Sequence, residues 1–257
     1  MIPAAPERVV APTAAALAAD VATRINATLA AAQAERGYAT LALTGGSVLE
    51  QVFGALADAA DRTDVDWNRV DVYWGDERFV PAGSKDRNDV PAMDALSALP
   101  LDPARIHPMP SSDGPDGPDL DAAAARYATL LADRSDPKHR YADDIVAFDI
   151  ALIGVGPDGH CCSLFPDQPG PLETVKSVVG VRDSPKPPPQ RLSLTFRALE
   201  AADQVWVVAA GEGKATAVAE ALGGASRDHI PSAGARGHNR TLWLLDQDAA
   251  SKLPASS

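Results

Sequence analysis

The stretch FDIALIGVGPDGHCCSLFP, from Phe148 to Pro166, decides how the rest of the chain is read. Its apolar run from Phe148 to Ile153 is broken only by Asp149, then gives way to Gly154, Gly156, Pro157 and Gly159. A short apolar run bounded by glycines predicts a buried strand followed by a sharp, crowded turn. In open α/β sheets, ligands bind beyond the carboxyl ends of the strands. The turn therefore presents His160, with Asp158 two residues before it, where chemistry takes place. Histidine as a residue type titrates near neutrality and serves as a general base with little tuning.

Two other readings of this stretch are weaker. Gly154-x-Gly156-x-x-Gly159 spells the dinucleotide-binding fingerprint, which needs a helix opening at the last glycine to hold the pyrophosphate. Pro157 interrupts that loop, and Pro166 and Pro169 leave room for roughly two helical turns at most. The match is read as coincidence. Cys161 and Cys162, the only cysteines, are adjacent and cannot staple distant segments. Three consecutive residues, His160 to Cys162, fit a tetrahedral zinc site poorly. Neighbouring side chains on an extended backbone point apart, which disfavours a Cys–His pair. Both cysteines are expected to be small packing residues.

A chain of 257 residues can bury a sizeable core. Its composition marks no internal boundary, so a single domain over residues 1–257 with a short polar C-terminal tail is expected. A net charge of −12 argues against binding nucleic acid or an anionic membrane. MIPAAPERVV has no basic segment followed by an apolar core, and no apolar run approaches the ~18 residues of a membrane span. The expected location is cytoplasmic. An acidic protein that handles an anionic substrate needs a local basic cluster, and the sequence offers one in pieces.

Arg8–Ala11 reads as a strand, and Thr13 as the N-cap of a helix ending before Gly37, with Leu17, Val21, Ile25 and Leu29 as its apolar stripe. Ala39–Leu43 is a strand followed by Gly45, Gly46 and Ser47 and a helix over Val48–Ala60. A glycine pair, a hydroxyl and a helix start make an anion-binding arrangement; an ordinary turn capped by Ser47 is the alternative. Val70–Trp74 is a strand that runs into Gly75-Asp76-Glu77-Arg78, whose charges lie at the sheet edge or in a solvated turn. Asn88 leads into a helix through Leu96, and Leu120–Ala132 forms another. Val175–Val181 is a strand candidate before the prolines at 185–189. Arg191–Thr195 alternates like an edge or half-exposed strand. Gln204–Ala209 is a strand, Gly213-Lys214 opens a helix through Leu222, and Thr241–Leu245 is the last strand. Strands alternating with helices predict a mostly parallel sheet with helices on both faces.

Taken together, Gly45-Gly46-Ser47, Gly75-Asp76-Glu77-Arg78, the Gly154–His160 turn with Ser163-Leu164-Phe165-Pro166, the Arg191–Thr195 strand and Gly213-Lys214 resemble the 6-phosphogluconolactonase family. The resemblance implies a Rossmann-like three-layer α/β/α sandwich shared with glucosamine-6-phosphate deaminase and ribose-5-phosphate isomerase. It implies hydrolysis of 6-phosphoglucono-δ-lactone in the oxidative pentose phosphate pathway, without metal or cofactor. The family's usual Gly-Gly-Ser-Thr-Pro is broken here by Val48 and Leu49, so one hydroxyl donor is missing.

The resemblance further implies roles. His160 would be the base, Asp158 would orient it, and Asp76 would bind sugar hydroxyls, transfer a proton or position Arg78. The phosphate would sit on Gly45, Gly46 and Ser47, with Arg78, Lys214 and Arg182 as basic partners, and Glu77, Gly156 and Gly159 beside the substrate. The amino-sugar phosphate deaminases resemble the chain at the Asp-Gly-His turn, but they follow it with Asn-Glu-Pro, where Ser163–Pro166 supplies no carboxylate. A sugar-phosphate-binding regulator would need a DNA-binding segment, and none is visible. The partner expected is a small sugar phosphate lactone, acted on by a monomer.

Overall fold

The strand anticipated in the Phe148 run is β6 (Ile150–Gly154), at the middle of a seven-stranded sheet. The structure, a computed structural model, describes residues 5–59, 62–139 and 141–254. Across the sheet the order is β1 (Glu7–Ala11), β10 (Arg240–Asp246), β9 (Gln204–Ala209), β6, β2 (Ala39–Leu43), β3 (Val70–Trp74) and β5 (Ile106–His107). Every neighbouring pair is parallel. All residues of β2 and β3 are buried, as a parallel sheet covered on both faces requires.

Among the described residues six α-helices cover it. They are α1 (Ala14–Arg36), α2 (Ser47–Asp58), α3 (Asp89–Ala95), α4 (Leu120–Asp133), α5 (Phe196–Glu200) and α6 (Ala215–Leu222). From β1 through β2 and β3 to β5 the chain moves one way along the sheet. From β5 through β6 and β9 to β10 it returns. Right-handed crossovers then place α1, α2 and α3 on one face and α4, α5 and α6 on the other. Accordingly α1 packs on α2 and α2 on α3. Thr13 caps α1 by accepting from the Ala16 N–H, and Gly37 ends it at φ +83°. Leu17, Val21, Ile25 and Leu29 are fully buried. None of the described helices is long and apolar enough to cross a membrane.

A second, antiparallel sheet lies in the α4 layer, ordered β4 (Asp76–Arg78), β8 (Arg191–Leu194) and β7 (Val178–Val181). It corrects two expectations. Asp76–Arg78 is a strand, not a turn, because the chain leaves β3 through Gly75 and pairs at once with β8. In turn, β8 is the fully buried middle strand of its sheet, not an edge. Its polar alternation misleads because the polar groups are satisfied inside: Ser193 Oγ donates to the Leu194 carbonyl and accepts from the Ser163 N–H. The strand expected from Val175 begins only at Val178, and Val175 is exposed. Ala60, the expected end of α2, and the last three residues of the polar tail lie outside the described residues.

At the amino-terminal edge of the sheet, buried Asp149 ties three elements together. It accepts from the Thr40 N–H (2.8 Å) and hydroxyl (3.1 Å) and from the Arg36 guanidinium at the end of α1. Asp149→Ala leaves the half-buried Arg36 guanidinium with only the more distant Glu35 carboxylate (3.5 Å) and the buried Thr40 amide without its acceptor. The expected loss is about 3 kcal/mol or more, read from the urea midpoint. A loss below about 1 kcal/mol contradicts the role given to this contact.

Candidate active site

β2 and β6 are neighbours, yet their connections leave the sheet on opposite faces. A crevice opens at their carboxyl ends, as it does wherever strand order reverses. Here it is a cavity of about 350 Å³ lined from one side by Thr44–Leu49 and from the other by Gly154–Gly156 and His160. Asp76 and Arg78 of β4, Arg191 of β8, Lys186 and Lys214 are its charged lining.

The Gly154–His160 turn holds the imidazole. The Gly156 N–H donates to the His160 carbonyl (2.8 Å) and closes the turn, and the Gly159 N–H donates to the Gly156 carbonyl. A Cβ at Gly156 would overlap the His160 ring and the Asp158 carboxylate, so any side chain there would displace the pair. His160 Nδ1 lies 2.5 Å from Asp158 Oδ1, leaving Nε2 with no protein partner among the described residues. Burial would raise the Asp158 carboxyl, but the hydrogen bond and charge of His160, with Lys186, bring it down to about 2. Phe165 packs its ring 4.8 Å from the imidazole. No helix follows Gly159, which agrees with reading the dinucleotide fingerprint as coincidence. Gly159 itself (φ +83°) packs against Ile230 and does not line the cavity.

The opposite wall suits an anion. Gly46 is the N-cap of α2 and no side chain caps the helix, so its first N–H groups open toward the cavity. Ser47 is the first helical residue and not the cap. By contrast, Thr13 and Asp119 cap α1 and α4 with their side chains. Around this opening stand four cations. Arg78 and Arg191 sit directly opposite one another in the β4–β8 register, a pairing of like charges that an anion would relieve. Burial and the neighbouring Arg78 lower the Arg191 guanidinium. Burial and the neighbouring Lys186 lower the Lys214 ammonium, against the pull of Asp158.

Asp76 is anchored at both oxygens. Ser163 Oγ donates to Oδ2 (2.7 Å), and Asn88 Nδ2 donates to the Asp76 carbonyl (2.9 Å) and to Oδ1 (3.3 Å). Asn88 also presses on the Gly45 backbone, where a Cβ would overlap its side chain. Glu77 corrects another expectation. Successive residues of a strand face opposite ways, so Asp76 and Arg78 face the cavity while Glu77 points away from it. Fully buried, Glu77 accepts from the N–H groups of Arg78 (2.7 Å), Asn88 (2.6 Å) and Asp89 (3.0 Å), with Arg87 at 3.7 Å. Burial pushes its carboxyl up to about 7, against Arg87 and two of these N–H groups. Arg182 also lies elsewhere. It is exposed just past the end of β7 and donates to Asp121 of α4 (2.6 Å). The two cysteines are buried, and burial raises both thiols far above the ordinary range.

Sequence reasoning missed Lys186, Arg191, Asn88 and the Ser163 contact. Lys186 was hidden among prolines, and Arg191 looked like an outward residue of an edge strand. Asn88 carries no local signal, because its partners are 11 and 12 residues away.

An α/β fold with a histidine–carboxylate pair facing an uncapped, cation-flanked helix start defines a class that acts on small phosphorylated compounds. Residues 12–243 match the family described as glucosamine-6-phosphate isomerases/6-phosphogluconolactonase, and the chain belongs to it. It is 52% identical to a 6-phosphogluconolactonase of Streptomyces coelicolor over 93% of this chain and 92% of that one. It is 46% identical to a Mycobacterium leprae 6-phosphogluconolactonase over 90% and 92% of the two chains. Among solved structures it resembles the 6-phosphogluconolactonase of Trypanosoma brucei, with a TM-score of 0.79, 26% identity and 97% and 99% coverage.

His160 is what holds the Asp158 carboxyl low despite its burial. Asp158 therefore stays ionised down to about pH 2. In His160→Ala its carbon resonance should titrate at clearly higher pH, because burial is no longer opposed by the ring. An unchanged midpoint contradicts the pairing.

Proposed function

We propose that the protein hydrolyses 6-phosphoglucono-δ-lactone to 6-phosphogluconate. The observation that carries this reading is the pairing of walls: His160, held by Asp158, faces a helix start surrounded by cations. A phosphate on one wall places the lactone carbon of the same molecule near the other.

In this mechanism His160 Nε2 takes a proton from water as the water oxygen attacks the lactone carbonyl. Asp158, ionised at neutral pH, holds the ring and offsets the imidazolium charge. The attack forms a tetrahedral oxyanion, which nearby N–H donors or cations stabilise. As the carbonyl re-forms, the bond to the ring oxygen breaks and His160 returns its proton to that oxygen. The new carboxylic acid then ionises and releases a proton to solvent.

The phosphate lies at Gly45, Gly46 and Ser47, with Arg78, Lys214 and Lys186 as its cations. Asp76, already fixed by Ser163 and Asn88, accepts from sugar hydroxyls with its remaining lone pairs. An amino-sugar deaminase would need a second carboxylate beside the imidazole, and Phe165 packs on the ring there. This reading takes the substrate to be a diffusible sugar phosphate, acted on in the cytoplasm by a monomer.

Proton release from freshly made 6-phosphoglucono-δ-lactone, corrected for spontaneous hydrolysis, tests the assignment. His160→Ala should lower kcat by about 10²–10⁴-fold. Arg78→Ala should mainly raise KM, by about 10- to 100-fold. A wild-type rate equal to the spontaneous one overturns the reading.

A further inference from the structure

The segment 184–190 contains Pro185, Pro187, Pro188 and Pro189. Proline has no N–H, so the strap is rich in acceptors and poor in donors, and its carbonyls need donors from outside. Arg191 supplies them. Its Nε donates to the Pro188 carbonyl (2.8 Å), and its Nη2 donates to the carbonyls of Lys186 (3.0 Å) and Pro187 (3.2 Å). Ser184 closes the strap from the other end: its N–H donates to the Pro189 carbonyl (3.0 Å) and its hydroxyl to the Lys186 carbonyl (2.9 Å). The Lys186 N–H returns a bond to that hydroxyl (3.3 Å).

The one cation on this strap is Lys186, which lines the cavity. It acts on both halves of the site, since its charge lowers Lys214 and Asp158 alike. Arg191 also borders the cavity, yet two of the three nitrogens of its buried guanidinium are committed to strap carbonyls. A flexible lysine on a mobile loop would lose much of its side-chain freedom on meeting an anion. Pinning the backbone at the Lys186 carbonyl itself reduces what remains to be ordered.

We propose that Arg191 is a positioning residue, which fixes the proline strap so that Lys186 stands at the cavity mouth as a phosphate ligand. This rests on the phosphate reading of the cavity given above. Arg191 then acts through Lys186 and makes no phosphate contact of its own.

A double-mutant cycle on KM for 6-phosphoglucono-δ-lactone tests it. Lys186→Ala and Arg191→Ala should each raise KM, by about 10- to 100-fold for the lysine and no more for the arginine, with kcat changed far less. The double variant should be no worse than Lys186→Ala alone within about twofold. Multiplying effects would mean that Arg191 meets the phosphate itself, and a fall in kcat with KM unchanged would mean a purely structural role. Either result overturns the proposal.

If Arg191→Ala does not fold, Ser184→Ala loosens the strap from its exposed side. It should raise KM in the wild-type background and not in Lys186→Ala, and no rise in either background overturns the proposal. Binding of inorganic phosphate, measured by calorimetry on the same variants, runs the cycle without turnover. A failed lactonase assay is thereby distinguished from a failed strap.

Discussion

The structure depends on one topological constraint: β2 and β6 lie side by side while their connections depart to opposite faces of the sheet. Neither crossover can fill the space above their carboxyl ends. Two glycine turns meet there instead, close enough that a Cβ at Gly154 would stand 3.8 Å from the Gly45 carbonyl. One turn ends in an uncapped helix start and the other in a histidine. The site is thus a consequence of strand order, and side-chain chemistry specialises a crevice that the backbone already leaves open.

Around that crevice, charge is distributed against the average of the molecule. The chain carries a net charge of −12, yet Arg78, Lys186, Arg191 and Lys214 meet at one cavity. Burying cations and placing them together are both costly: burial first, and a neighbouring cation second, lower Arg191 and Lys214. Such a cluster is stabilised by a bound anion, so affinity for a phosphate is set up by strain already present in the free protein. Strand alternation turns one acidic group, Glu77, away from these cations and leaves Asp76 among them. Glu77 faces inward to the backbone of α3, whereas Asp76 faces the cavity between Ser163 and Asn88.

Much of this was legible in the sequence, and the reasons differ by element. β2, β3 and β9 were readable to the residue, because strands buried on both faces leave mostly apolar runs, here broken only by Thr40, Asp71 and Gln204. Thr13 and Gly37 bounded α1 through local capping chemistry that needs no tertiary context. The His160 turn was legible because glycine and proline punctuate it. The second sheet was not, since β4 has three charged residues and β8 alternates like a surface strand. What makes them strands is pairing with each other across more than a hundred residues. Arg182 and Arg191 were misplaced for a related reason: a guanidinium's place depends on which carbonyls or carboxylates fold against it. Sequence spacing does not encode that.

The central claim is that one molecule spans both walls, with its phosphate on the α2 start and its reacting carbon at His160. The most direct test is a crystal structure with 6-phosphogluconate bound. The account predicts the phosphate on the Gly45–Ser47 loop among Arg78, Lys186 and Lys214. It places the C1 carboxylate within about 3.5 Å of His160 Nε2. A product bound with its phosphate away from α2, or with C1 turned from His160, would contradict it.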